Sequence, residues 1–322
     1  MTEELELESF ISREREWVKD HMTANSLSWP VVAKRIDVAS STLSLFGGSK
    51  YAGDNKKIAN KIKEYRELLE DQADLDSVDP TVPDFFEAPT VNSIIYQLRW
   101  AHRGKMVAIA GVSGVGKTSA VNYYRDSNPS SVIYIKVLPS DANLPNMLLA
   151  VLLALGKKDE VGSPQRLSLL IRNLISDRRM LLVFDEAHEL SDKAMEEIRG
   201  WNDVTGVGIA FVGEPRLVQK IKATGRAAKP ALASRTTVFE LTKVKPQDVE
   251  ACCKAWGSTD PEEVRLMKAV AEQDGALREC TQVFELASIV AAGRGQTRSL
   301  DHLLAACRQR GFDSRQVRAV AA

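Results

Sequence analysis

Gly111-Val112-Ser113-Gly114-Val115-Gly116-Lys117-Thr118 decides how the rest of the chain is read. It fits the spacing GxxxxGK[ST] and stands in the matching context. An apolar run at 107–110 leads in, and a helical pattern beginning at Ser119 leads out. Glycines let backbone N–H groups turn inward around phosphates, and a helix N-terminus adds its dipole. Gly111, Ser113, Gly114, Val115 and Gly116 therefore read as the cradle of a nucleotide, closed by Ser119. Lys117 is expected on the β- and γ-phosphates, and the Thr118 hydroxyl on Mg2+.

Outward from this loop the chain alternates between short apolar runs and helical stretches. The runs fall at 106–110, 132–137, 180–184, 207–212 and 237–241. Five such strands with helices between them imply an α/β fold, a parallel sheet covered on both faces. The third run ends in Asp185-Glu186, which places two acids at the carboxyl edge of the sheet beside the phosphates. Asp185 is the expected Mg2+ ligand through its water shell, and Glu186 the group that polarises the attacking water. This pairing signals ATP hydrolysis; a kinase needs an acceptor site, and the sequence offers none.

The fourth run is expected between the two motif strands. It ends in Gly213-Glu214-Pro215, where AAA+ ATPases usually carry Asn, Ser or Thr to orient water. Glu214 brings a third carboxylate close to the phosphates. Gly275-Ala-Leu-Arg278 opens a helix in the C-terminal region and reads as a sensor arginine reaching the γ-phosphate. Arg235, just before the fifth run, and Arg226 are rival candidates for a finger acting on a neighbouring subunit.

The chain has 322 residues, with 43 Lys+Arg balanced by 43 Asp+Glu, which excludes a uniformly basic nucleic-acid coat but not a local one. Residues 29–66 are such a local block, with eight cations against three acids. Within it, 29–44 has helix-turn-helix spacing: Ala33 at the crossing, Asp37 at the turn, Val38 and Leu43 in the core, and Ser40 or Ser41 as cap. Ser41 and Thr42 would face DNA, with Lys50 near phosphates. No Arg, Asn or Gln stands on that helix, which argues against strong base readout.

The expected division is therefore a helical DNA-binding-like domain at 1–69, an acidic Pro-rich linker at 70–89, an ATPase core at 90–243 and a helical lid at 244–322. Four cysteines without metal-ligand spacing, an acidic N-terminus and no apolar run near 20 residues lead us to expect a reduced cytoplasmic protein without a membrane span.

Taken together, Lys50-Tyr51-Ala-Gly53-Asp54-Asn55, Thr90-Val91, Gly114-Val-Gly116-Lys117-Thr118, Asp185-Glu186-Ala187 and Gly275-Ala-Leu-Arg278 resemble, in order and spacing, the phage Mu B transposition protein family. The resemblance implies an AAA+ ATPase that uses ATP and Mg2+ to polymerise on duplex DNA. It further implies that the filament marks target DNA for a cognate transposase, and that hydrolysis disassembles it, giving target immunity. It adds Thr90 and Val91 as nucleotide contacts. Phosphate contacts to DNA are expected from Lys157, Lys158, Arg166, Arg172, Lys220 and Lys222. A filament multiplies a few such contacts per subunit. A helicase-loader-like ATPase and a nucleotide-responsive helix-turn-helix regulator remain as alternatives.

Overall fold

The computed structural model describes residues 2–78, 82–83, 85–223 and 230–312. The chain divides into two units, Met1–Asp79 and Pro80–Ala322. The first holds four helices, α1 (Thr2–Ala24), α2 (Trp29–Arg35), α3 (Ser40–Gly47) and α4 (Asn55–Val78). Because α4 runs to Val78, the acidic stretch 70–78 is helix where a linker was expected. Prolines enter only at 80, and acids alone do not stop a helix.

This unit packs Val18, Val32, Leu43, Phe46, Ala59 and Ile62 at its centre. Ala33 is buried between the helices, and the turn from α2 to α3 puts Asp37 at φ +52°, in the left-handed region. Lys61 on α4 holds that turn: its ammonium donates to the Asp37 carbonyl at 2.6 Å. Ala39 is the N-cap of α3 and no side chain caps it, so neither Ser40 nor Ser41 has the expected capping role.

The second unit carries β1 (Met106–Gly111), β2 (Val132–Lys136), β3 (Leu181–Asp185), β4 (Gly208–Gly213) and β5 (Thr236–Leu241) in one parallel sheet of order β2-β3-β4-β1-β5. Strand alternation sorts the core into two layers. Met106, Ala108, Phe184, Ile209 and Phe211 face α7 (Leu144–Ala154), α8 (Pro164–Ile175), α9 (Asp192–Thr205) and α10 (Arg216–Ile221). Val107, Ile109, Val183, Ala210 and Val212 face α5 (Pro89–Ala101) and α6 (Lys117–Asp126). The helix α11 (Pro230–Arg235) leads into β5. As expected, β4 lies between β1 and β3. The pairs Ala110↔Gly213 and Lys136↔Asp185 bring the carboxyl ends of the motif strands to one edge.

After β5 come α12 (Pro246–Ala255), α13 (Pro261–Ala271), α14 (Ala276–Ala292) and α15 (Leu300–Gln309), around a core of Cys252, Leu266, Met267, Val283 and Phe284. All four cysteines are free and buried here; burial pushes the Cys252 thiol up to about 11 and Cys253 up to about 12. Asp248, fully buried at the start of α12, ties this lid to the sheet domain. It accepts from the Thr90 backbone N–H at 2.9 Å, the Thr90 hydroxyl at 2.6 Å and the Lys245 N–H at 3.0 Å. Among the described residues, no helix is long and apolar enough to cross a membrane.

Candidate nucleotide site

The loop after β1 is shaped by Gly114 and Gly116, at φ +76° and +93°; Gly116 is also the N-cap of α6. Only glycine enters this region without steric cost. At Gly114 a second reason applies: a Cβ would stand 1.7 Å from the Gly275 carbonyl oxygen. The lid's Gly275-Ala-Leu-Arg278 turn therefore closes directly onto the phosphate loop. A cleft of about 270 Å³ opens between them, lined by Ser113, Gly116, Lys117, Thr118, Ser119, Glu186, Glu214 and Arg278.

Two polar groups of the cleft, Lys117 and Thr118, are bonded within the protein. Lys117 Nζ donates to the carbonyls of Gly111 and Val112 at 2.7 and 2.9 Å. Burial lowers its pKa from the ordinary lysine value, while Glu186, Asp185 and Glu214 pull the other way. Asp185 is buried and accepts from the Thr118 hydroxyl at 2.9 Å and from the Tyr134 phenol at 2.9 Å. Burial first, and then Asp185, push the Tyr134 phenol well above its usual range, so it stays a donor. A cradle that only glycine fits, an ammonium folded back on its own loop, and a hydroxyl beside a buried carboxylate suit a triphosphate with Mg2+. The donor set is all oxygen, as Mg2+ requires.

Glu186 takes a left-handed backbone, φ +57°, and its carboxylate reaches the cleft wall. Left-handed backbone is uncommon for a residue other than glycine. Glu214 also lines the cleft, and its carboxylate lies 3.3 Å from Arg216 Nε.

Several expectations are corrected. Thr90 is not in the cleft, because both its polar groups are bonded to Asp248; its neighbour Val91 does line it. Lys220, expected on DNA, is engaged inside the fold: its ammonium donates to the carbonyls of His188, at 2.9 Å, and Leu190. Lys222 is paired with Glu240 at 2.8 Å, and Arg172 has its Nε buried without a partner. Lys157, Lys158 and Arg166 are exposed, as are Ser41 and Lys50, while Thr42 is half-buried. Arg235 is ion-paired with Asp203 at 2.7 Å and half-exposed. Arg226 lies outside the described residues.

Sequence reasoning missed the apolar end of the cleft. Pro83, Phe85, Phe86, Leu277 and Thr281 line it, and Phe85 stacks on Tyr123 of α6 with centroids 4.0 Å apart. The aromatic pair Phe85-Phe86, inside an otherwise acidic segment, was the available signal. His188 and Asp248 were missed too, since nothing local distinguishes them.

Sheet order, phosphate loop and acidic strand end define an AAA ATPase. Residues 101–221 match the AAA domain model, and residues 235–309 match the model of the C-terminal part of the Mu B transposition protein. The chain is 30% identical over 288 residues to the ATP-dependent target DNA activator B of Escherichia phage Mu, covering 88% of this chain and 90% of that protein. It is 29% identical to the Mu-like prophage FluMu DNA transposition protein B of Haemophilus influenzae, over 83% and 93% of the two chains. The crystal structure of Cdc6p from Pyrobaculum aerophilum shares the fold, with a TM-score of 0.53 at 13% identity, over 73% of this chain and 70% of that one. The chain belongs to the Mu B transposition protein family.

Proposed function

We propose that this ATPase is an ATP-dependent target DNA activator that assembles on duplex DNA without sequence preference and works with a cognate transposase. The observation that carries this reading is the single cleft joining Lys117, Thr118, Glu186 and the lid's Arg278 in a chain whose relatives are named for that role. In it, Lys117 would hold the β- and γ-phosphates. Thr118 and Asp185 would hold Mg2+, which when bound neutralises phosphate charge. Glu186 orients and polarises the attacking water, and Arg278 reads the γ-phosphate from the lid. Because the lid and the phosphate loop touch at Gly114 and Gly275, a bound triphosphate fixes the lid against the sheet domain.

Arg235 is the candidate finger for a neighbouring subunit, which makes hydrolysis depend on assembly. Self-association on DNA then explains ATP-dependent binding, and hydrolysis explains release and target immunity. Lys157, Lys158 and Arg166, with Lys50, Ser41 and Thr42 of the N-terminal unit, are the proposed phosphate contacts. The cations among them act through charge, so no base readout is needed.

Sedimentation with long random-sequence duplex tests the reading. Native protein should pellet with DNA only in ATP, and Lys117→Ala should not pellet under any condition. Nucleotide-independent pelleting, or binding confined to one sequence, would replace the reading with a DNA-binding regulator.

A further inference from the structure

At the strand end where AAA+ ATPases usually place a polar amide or hydroxyl, this chain has Glu214, whose carboxylate is turned toward Arg216 at 3.3 Å. Its backbone is what reaches the turn after β3, the Walker B turn that holds Asp185 and Glu186. The Glu214 N–H donates to His188 Nδ1 at 3.2 Å. That side chain is 4% exposed, and the strand's last residue must be glycine for the ring to close on it: a Cβ at Gly213 would stand 2.9 Å from Nδ1. The same Nδ1 lies 3.4 Å from Glu186 Oε2. The other ring nitrogen, Nε2, faces Glu189 at 3.3 Å and Glu214 at 4.0 Å. Arg216 also pairs with Glu189, at 2.6 Å, so it balances the two carboxylates on that side. Lys220 anchors the His188 carbonyl from α10.

From this we infer that His188 is the positioning residue for Glu186: its ring joins the end of β4 to the Walker B turn and sets where the Glu186 carboxylate stands. The inference rests on the reading of Glu186 as the water-activating group. Accepting a backbone N–H requires a lone pair on Nδ1, so the ring proton sits on Nε2. The ring thus stands with Glu186 on its Nδ1 side and Glu189 and Glu214 on its Nε2 side. With its lone pair on Nδ1 the ring offers Glu186 no hydrogen bond; it bounds the carboxylate by contact and repulsion at 3.4 Å and keeps it from folding back toward the end of β4, a limit lost without it. A displacement of about 1 Å at a reacting group costs on the order of a hundredfold in rate.

The test uses the full chain. His188→Ala should lower kcat for ATP about a hundredfold, while KM and the affinity for a fluorescent ATP analogue stay within about twofold, a change worth only a few tenths of a kcal/mol. Asn places an acceptor where Nδ1 stands and Gln does not, so His188→Asn should recover much of the loss and His188→Gln should not. That comparison also decides the matter if the Ala variant fails to fold. Independently of activity, the ring 15N spectrum of nucleotide-free protein should show Nδ1 of His188 as the unprotonated nitrogen. Native-like kcat in His188→Ala, equal rates for Asn and Gln, nucleotide affinity falling with kcat, or a protonated Nδ1 would each overturn the inference. Glu186→Gln, run in parallel, separates the two readings. If it is inactive while His188→Ala is fully active, only His188 loses its role; if it hydrolyses ATP normally, both fall.

Discussion

The nucleotide cleft and the N-terminal unit use polar side chains in opposite ways. In the cleft Lys117 and Thr118, and beneath it Tyr134, Asp185 and His188, are bonded to protein partners at 2.7–3.2 Å. In the N-terminal unit, the side chains read as facing DNA lie toward the surface: Ser41 and Lys50 are exposed and Thr42 is half-buried, on or just after α3. The interior of that unit is nonetheless well fixed, with Glu14 fully buried against Arg66 at 3.1 Å and Arg15 donating to the Phe46 carbonyl at 2.8 Å. The cleft therefore works by preset geometry, where moving one atom matters. On the proposed function, the N-terminal surface offers charge and hydroxyls that gain force only by repetition along DNA.

Three expectations would break or sharpen this contrast. Glu186→Gln should have the largest effect: hydrolysis should fall by about 10²–10⁴-fold while nucleotide binding persists, so DNA complexes in ATP should outlive native ones. Rapid turnover or release by this variant, followed by phosphate production and pelleting, would remove geometry as the basis of the cleft. Next comes Asp248→Ala, which strands two backbone N–H groups and a hydroxyl in the interior. It should cost roughly 2–5 kcal/mol of stability in urea unfolding and weaken nucleotide binding as the lid loosens. A change under about 0.5 kcal/mol, the size of an ordinary surface substitution, would show that the lid is held elsewhere. The smallest effect belongs to Lys157→Ala with Lys158→Ala. For every lysine that neutralises a DNA phosphate, its removal should flatten the slope of log affinity against log salt by about 0.9. An unchanged slope would take these lysines off the DNA.

The sheet and its motifs were legible because they are local. Five apolar runs, glycines spaced around a lysine, and two acids at a strand end each carry their signal within a few residues, and the fourth run was expected where β4 lies, between β1 and β3. Errors arose where a side chain's partner is distant in sequence. Thr90 reads as a nucleotide contact until Asp248, 158 positions on, is found holding it. Lys220 reads as a cation for DNA until its ammonium is found on the His188 and Leu190 carbonyls. The acidic stretch 70–78 reads as linker, yet α4 continues through it.

The sequence by itself determined that this is an AAA ATPase, and which loop and which acids meet beside each other, because the parallel strands bring their carboxyl ends to one sheet edge. Only the tertiary structure decided which polar groups remain available. It placed the lid's Gly275 carbonyl against Gly114, stacked Phe85 on Tyr123 at the apolar end of the cleft, and set His188 between Glu186 and Glu214. Those pairings arise from packing between elements, and a buried donor or acceptor takes whichever partner the fold brings within about 3 Å.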